Sequence, residues 1–254
     1  WALATIKMFV KLAFLLVLGL AFQSKKYKIF VYADEPESIV GGIDASVGEF
    51  PYQISLRRNG FHICGGSIIS DRHIITAAHC VDGGQVASLT VVTGAIKLND
   101  PWRQTHRIKS YTIHPGYIPN ASHSWVNDAA VITVSNHQVI LVEALKAALT
   151  ISGWGAQRVG GPSPNHLQKA TLYYVSKEQC QSIHANMPIF ATHLCALHSA
   201  GIGACSGDSG GPLVYKGELV GIASWVSLCA RGVPDVFTRA AKYQNFIDSV
   251  MREL

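Results

Sequence analysis

"ACSGDSGGPLV", Ala204 to Val214, sets a carboxylate, a hydroxyl and three glycines between a cysteine and an apolar run. Glycine serves backbone that takes strained dihedrals or approaches another group closely. Such a frame exposes one side-chain oxygen, that of Ser209, and leaves neighbouring N–H groups free to converge. A plain tight turn would look similar, so the decision rests on what the rest of the chain supplies.

On both sides the chain is built of short β-rich runs. "PYQISL", "HIITA", "LTVVT", "AAVITV", "ATLYYV" and "LVGIASW" are separated by Gly, Pro, Asn and Asp between Pro51 and Arg239. Many short strands with frequent turn signals predict an all-β sandwich or barrel rather than alternating α/β. Only the end reads as helical. Tyr243, Phe246, Ile247, Val250 and Met251 fall at i, i+3, i+4, i+7 and i+8, one packing face of a helix over about 242–252.

With 254 residues, 48% hydrophobic and 15% charged, the chain has material for one large all-β domain or two smaller ones, and too little charge for disorder. Net charge is +5, and the basic residues after Ile39 are scattered, so no nucleic-acid partner is expected. Near the start, Lys7 and Lys11 flank Met8, and an uncharged stretch runs from Leu12 to Phe22. This is shorter than the ~20 residues a membrane-spanning helix needs. It predicts a secretory signal peptide over 1–21, with Met8 as the start and cleavage after Gly19-Leu20-Ala21; a monotopic anchor is the competing reading. A secreted, extracellular product without membrane association makes the six cysteines a disulfide framework, for which 15 pairings exist.

Three stretches matter together: "TAAHC" (76–80), "NDAAVITV" (127–134) and "GDSGGP" (207–212). Singly, His79 reads as a core histidine, Asp128 as a turn residue and the glycines as a turn. Jointly they supply a nucleophile, a base and an orienting acid. A serine hydroxyl attacks well only when a neighbouring base takes its proton. Imidazole does so near neutral pH, and a buried carboxylate fixes its tautomer. The N–H groups of Gly207 and Ser209 complete the set as donors to a developing oxyanion, each worth roughly 2.7–4 kcal/mol of barrier.

With "IVGG" (39–42), "CGGSII" (64–69), "SGWG" (152–155) and "SWVSLC" (224–229), these stretches make the sequence resemble the chymotrypsin/trypsin family of serine endopeptidases from Ile39 to Leu254. The resemblance implies two six-stranded antiparallel β-barrels, about 39–140 and 147–240, with a C-terminal α-helix and the site in the cleft between the barrels. It assigns His79 as general base, Asp128 as orienting acid, Ser209 as nucleophile, and Gly207 and Ser209 as the oxyanion hole. It also selects Cys64–Cys80, Cys180–Cys195 and Cys205–Cys229 among the pairings. Protein and peptide substrates, protein protease inhibitors and a monomeric state are implied. A catalytically inactive homologue used as a binding or effector module is the alternative.

An internal "IVGG" implies a zymogen with propeptide 22–38, whose cleavage frees the Ile39 amine to pair with Asp208. Ser38 precedes the cut where many relatives carry Lys or Arg, so an activator unlike trypsin is expected. The implied specificity pocket holds Gly203 at the base, where trypsins carry an acid, with Ser224, Val226 and Asp235. Gly203 with Asp235 and the phrase "CARGVPDVFTRA" look most like arthropod chymotrypsin-like and collagenolytic enzymes, and Val226 adds an elastase-like constriction. The expected P1 preference is Leu, Met and small aliphatics, then Phe or Tyr, with some Arg or Lys drawn by Asp235; the competing reading has Asp235 bound to backbone or water.

Asn120-Ala121-Ser122 is a glycosylation sequon. No zinc spacing, calcium loop or phosphate loop is found, so neither metal nor cofactor is expected. Between Asp128 and Trp154 the chain is about a dozen residues shorter than the family pattern, which threatens an edge strand at the crossover between the barrels.

Overall fold

The computed structural model describes residues 39–135, 149–227 and 229–252; the expected signal peptide, propeptide and the middle of the crossover lie outside them. A two-residue strand, β1 (Ile43–Asp44), comes first. Six strands then close into a barrel: β2 (Gln53–Arg58), β3 (Phe61–Ile68), β4 (His73–Thr76), β5 (Leu89–Thr93), β6 (Gln104–Ile113) and β7 (Ala130–Val134), in the order β2-β3-β4-β7-β6-β5. Asn59-Gly60 joins β2 to β3 with both residues at positive φ, and Arg58 pairs with Phe61. This is the tight two-residue turn that Asn-Gly favours, because its twist matches that of the strands. In β6 polar residues alternate with inward His106 and Ile108, whereas all five residues of β7 are buried.

The second barrel uses β8 (Leu149–Gly153), β9 (Gln168–Val175), β10 (His193–Leu197), β11 (Pro212–Tyr215), β12 (Glu218–Trp225) and β13 (Asp235–Arg239). Its ring runs β8-β9-β10-β13-β12-β11 and returns to β8, and β1 adds to the edge of β9. The short crossover costs neither barrel a strand. Strand β7 pairs with β4 and β6, and β8 pairs with β9 and β11.

Each barrel has its own core. Ile54, Leu56, Ile74, Ile75 and Ile132 fill the first; Ile151, Leu172, Leu213 and Phe237 fill the second, together with Ile39. Burying one such side chain contributes about 1.5–3 kcal/mol. Helices are few: α1 (Ala78–Val81), α2 (Lys177–Ile183), capped by Ser176 Oγ accepting from Gln179 N, and α3 (Gln244–Arg252). Ile247 and Val250 of α3, with Tyr243 just before it, join the core of the first barrel, not the second. The sulfurs pair as Cys64–Cys80, Cys180–Cys195 and Cys205–Cys229.

Candidate active site

Strand β4 ends at Thr76 and the chain turns at once into α1, which carries His79 beside the bridged Cys80. Asp128 stands just before β7, the strand paired with β4, so both side chains issue from the same rim of the first barrel. The Asp128 carboxylate is fully buried. Its Oδ1 accepts from His79 N at 3.0 Å and its Oδ2 from His79 Nδ1 at 2.8 Å. Ser224 Oγ, from β12, also donates to Oδ2, at 2.5 Å. The Asp128 carbonyl accepts from Thr238 Oγ1 of β13 at 2.8 Å, and Tyr243 Oη donates to the neighbouring Asn127 Oδ1 at 3.0 Å.

This shell fixes the histidine. A carboxylate at Nδ1 keeps the proton there and leaves Nε2 as the free base. Burial works to lower the His79 pKa, but the hydrogen bond and charge of Asp128 outweigh it and hold the imidazole above its ordinary 6.5. Nε2 lies 3.7 Å from Cys80 Sγ, and no hydrogen bond joins it to Ser209 Oγ among the described residues. The His–Asp link is closed and the His–Ser link is open. Catalytic hydrogen bonds are often long in ligand-free proteins and tighten with substrate. Cys64, His79 and Cys80 form a compact group of potential metal ligands. Its two sulfurs are bonded to each other, however, and metal ligation needs thiolates.

Ser209 is held by backbone from both barrels. Its carbonyl accepts from Gly65 N on β3 at 2.7 Å, while Gly210 N donates to Ala223 O on β12 at 2.7 Å. Gly210 has φ of 77°, and a Cβ there would stand 2.1 Å from Thr76 Oγ1, so only glycine fits. Two residues before Ser209, the Gly207 carbonyl is bound by His62 Nε2 at 3.0 Å; His62 Nδ1 lies 2.9 Å from Ser55 Oγ. Burial, only partly offset by the bond to Gly207, pushes the His62 pKa down to about 4. It is therefore neutral, and its Nε2–H donates.

Asp208 is buried behind the nucleophile. Its Oδ1 accepts from Gly155 N at 2.8 Å and its Oδ2 from Cys205 N at 2.9 Å. Burial outweighs these two bonds and pushes its pKa up to about 7. In this uncut chain its partners are backbone N–H groups, and Ile39, though fully buried, is not among them. Beside it lies a cavity of about 30 Å³, lined by Ala204, Asp208, Ser209, Ser224, Val226 and Asp235 among others. Asp235 Oδ2 accepts from Ala204 N at 2.7 Å, and a Cβ on Gly203 would meet that oxygen at 2.8 Å. Backbone and cavity thus share Asp235.

The predicted residues therefore gather at one cleft. Ser224 lines the cavity as expected while its hydroxyl also serves Asp128, and the Ile39–Asp208 pair, expected only after cleavage, is not formed in the uncut chain. Sequence reading passed over His62, Ser55 and Thr238. For His62 the one local signal is its place two residues before Cys64.

Over residues 39–247 the chain matches the family profile described as Trypsin. It is 38% identical to Chymotrypsin-2 of Vespa crabro over 82% of this chain and 98% of that protein. With Trypsin beta of Drosophila erecta it shares 39% identity over 82% of this chain and 87% of the relative. Among solved structures, human heparin binding protein superposes with a TM-score of 0.73 at 30% identity, over 85% of this chain and 98% of that one.

Proposed function

The chain belongs to the trypsin family and is a serine endopeptidase, and we propose that Ser209, His79 and Asp128 carry its hydrolysis of protein and peptide substrates. The observation that carries this reading is the buried Asp128 carboxylate on Nδ1 of the partly exposed His79, at 2.8 Å. In the reaction Ser209 Oγ attacks the scissile carbonyl as His79 Nε2 takes its proton. The N–H groups of Gly207 and Ser209 receive the oxyanion. The imidazolium, stabilised by Asp128, passes the proton to the leaving amine as the C–N bond breaks. Water then repeats the sequence on the acyl-enzyme and frees Ser209.

Cleavage before Ile39 would turn its amide nitrogen into an ammonium ion. A buried carboxylate without a cation is costly, so Asp208 gains by exchanging its backbone donors for that charge. The movement resets the Gly207–Ser209 loop and opens the primary pocket, which in the uncut chain has room for about one water. Val226 at the mouth favours Leu, Met and small aliphatics at P1, with Phe or Tyr weaker and some Arg or Lys drawn to Asp235. One methylene of misfit is worth ~1–3 kcal/mol, so the preference is graded. Secretion rests on the apolar stretch 12–22 and the three disulfides. Among the described residues no helix is long and apolar enough to cross a membrane.

The test is fluorophosphonate labelling of the chain before and after cleavage at Ile39, with Ser209→Ala as control. Labelling only after cleavage, and only with Ser209, is expected. Absence of labelling in cleaved, folded protein would replace this reading with the inactive homologue. Trypsin should fail to cut cleanly at Ser38–Ile39, as terminal sequencing would show.

A further inference from the structure

Two carboxyl groups line the same small cavity beside Ser209: Asp208 and Asp235. We infer that protonation of Asp235 switches P1 selectivity, a neutral acid favouring aliphatic side chains and a carboxylate admitting Arg and Lys. The inference rests on reading this cavity as the primary pocket.

The geometry isolates Asp235 from other charge. The residue is 4% exposed, and among the described residues the only donor to its carboxyl group is Ala204 N, at Oδ2. The Gly203–Ala204 backbone closes over that oxygen, which a Gly203 Cβ would meet at 2.8 Å. From β12 the cavity receives Ser224 and Trp225, with Val226 just after it; from β13 it receives Val236 and Phe237; from the nucleophile loop it receives Cys205, Asp208 and Ser209. Across β10 the partner of Asp235 is Ala196. His184 reaches the residue before Asp235, where its Nε2 bonds the carbonyl of Pro234 at 2.8 Å. Asp208 is thus the one other titratable group lining the cavity among the described residues, and it carries the same sign.

An ionised carboxylate in such surroundings lacks a countercharge. Burial first, then the like charge of Asp208, pushes the Asp235 pKa up to about 7, against the pull of the Ala204 bond. A P1 guanidinium or ammonium supplies the missing cation and so requires the ionised form. A P1 leucine supplies none, and binds with less desolvation cost when the acid is neutral. Activation enters the same balance. An ammonium at Ile39 neutralises Asp208, removes the like charge and makes Asp235 easier to ionise, so in cleaved enzyme the carboxylate form persists to lower pH than in the uncut chain.

The experiment uses enzyme beginning at Ile39 and two fluorogenic peptides that differ only in Arg or Leu at P1, from pH 5.5 to 9. The ratio of their kcat/KM values cancels the titration of His79, which is common to both. A rise of about tenfold in the Arg/Leu ratio, centred below the uncut chain's value of about 7, is expected in the wild-type enzyme. Asp235→Asn, which retains an acceptor for Ala204 N, should flatten it. A flat ratio in wild type, or the same rise in Asp235→Asn, overturns the inference while leaving the protease reading intact. Failure to cleave either peptide together with absence of fluorophosphonate labelling overturns both.

Discussion

Ser224 Oγ on β12 donates 2.5 Å to Asp128 Oδ2, and so the second barrel holds the acid that orients a histidine on the first. A hydrogen bond to a charged group contributes roughly 1.5–3 kcal/mol. Ser224→Ala is expected to lower kcat about tenfold or more, with KM changed little. Steady-state kinetics on cleaved enzyme decide it; an unchanged kcat would show that His79 alone suffices to hold the carboxylate.

Asp128→Asn keeps the shape of the site but offers a donor or a neutral acceptor to His79 Nδ1. The expected loss in kcat at neutral pH is about 10⁴-fold, the size established for this change in the best-studied member of the family. The sign of the pH effect also follows. Asp128 raises the His79 pKa, so its neutralisation moves the acid limb of the kcat/KM profile to lower pH.

Gly155 has no room for a side chain: its Cβ would sit 2.2 Å from Asp208 Oδ2. Gly155→Ala must displace the buried carboxylate that it now binds through its N–H. A loss of about 3 kcal/mol or more in stability is expected, read from chemical denaturation, together with loss of fluorophosphonate labelling in cleaved protein.

His62 titrates against the fold. Its pKa in the folded chain is about 4, below the 6.5 of the unfolded chain, so unfolding takes up a proton between these values. Its contribution is fully present above pH 6.5, declines as pH falls and is spent near pH 4, in total up to about 3 kcal/mol. Asp208 and Asp235 act oppositely, their raised values giving stability below about pH 4 that is lost as pH rises to about 7. The three partly cancel in wild type. The stability difference between wild type and His62→Gln, measured by denaturation at several pH values, isolates the histidine and should shrink from pH 6.5 to 4.

The strands whose residues carry their own β preference were legible. "HIITA" contains β4, "LTVVT" is β5, and "AAVITV" contains β7. "QTHRIKSYTI", the ten-residue β6, was not, because its polar majority faces outward and its pairing with β5 and β7 supplies the order. The triad could be read because each member sits in its own distinctive stretch. Its support could not. Ser224 and Thr238 reach Asp128 from 96 and 110 residues away, and His62 reaches Gly207 from 145. Such contacts exist only once two barrels have docked, and nothing in local spacing announces them.

Helix α3 completes the hydrophobic interior of the first barrel, and Tyr243 beside it anchors the residue next to Asp128. During synthesis the ribosome therefore delivers the first barrel long before the segment that finishes it. A nascent or C-terminally truncated chain thus lacks both the apolar residues that close the first barrel's interior and the Tyr243 bond to the neighbour of Asp128.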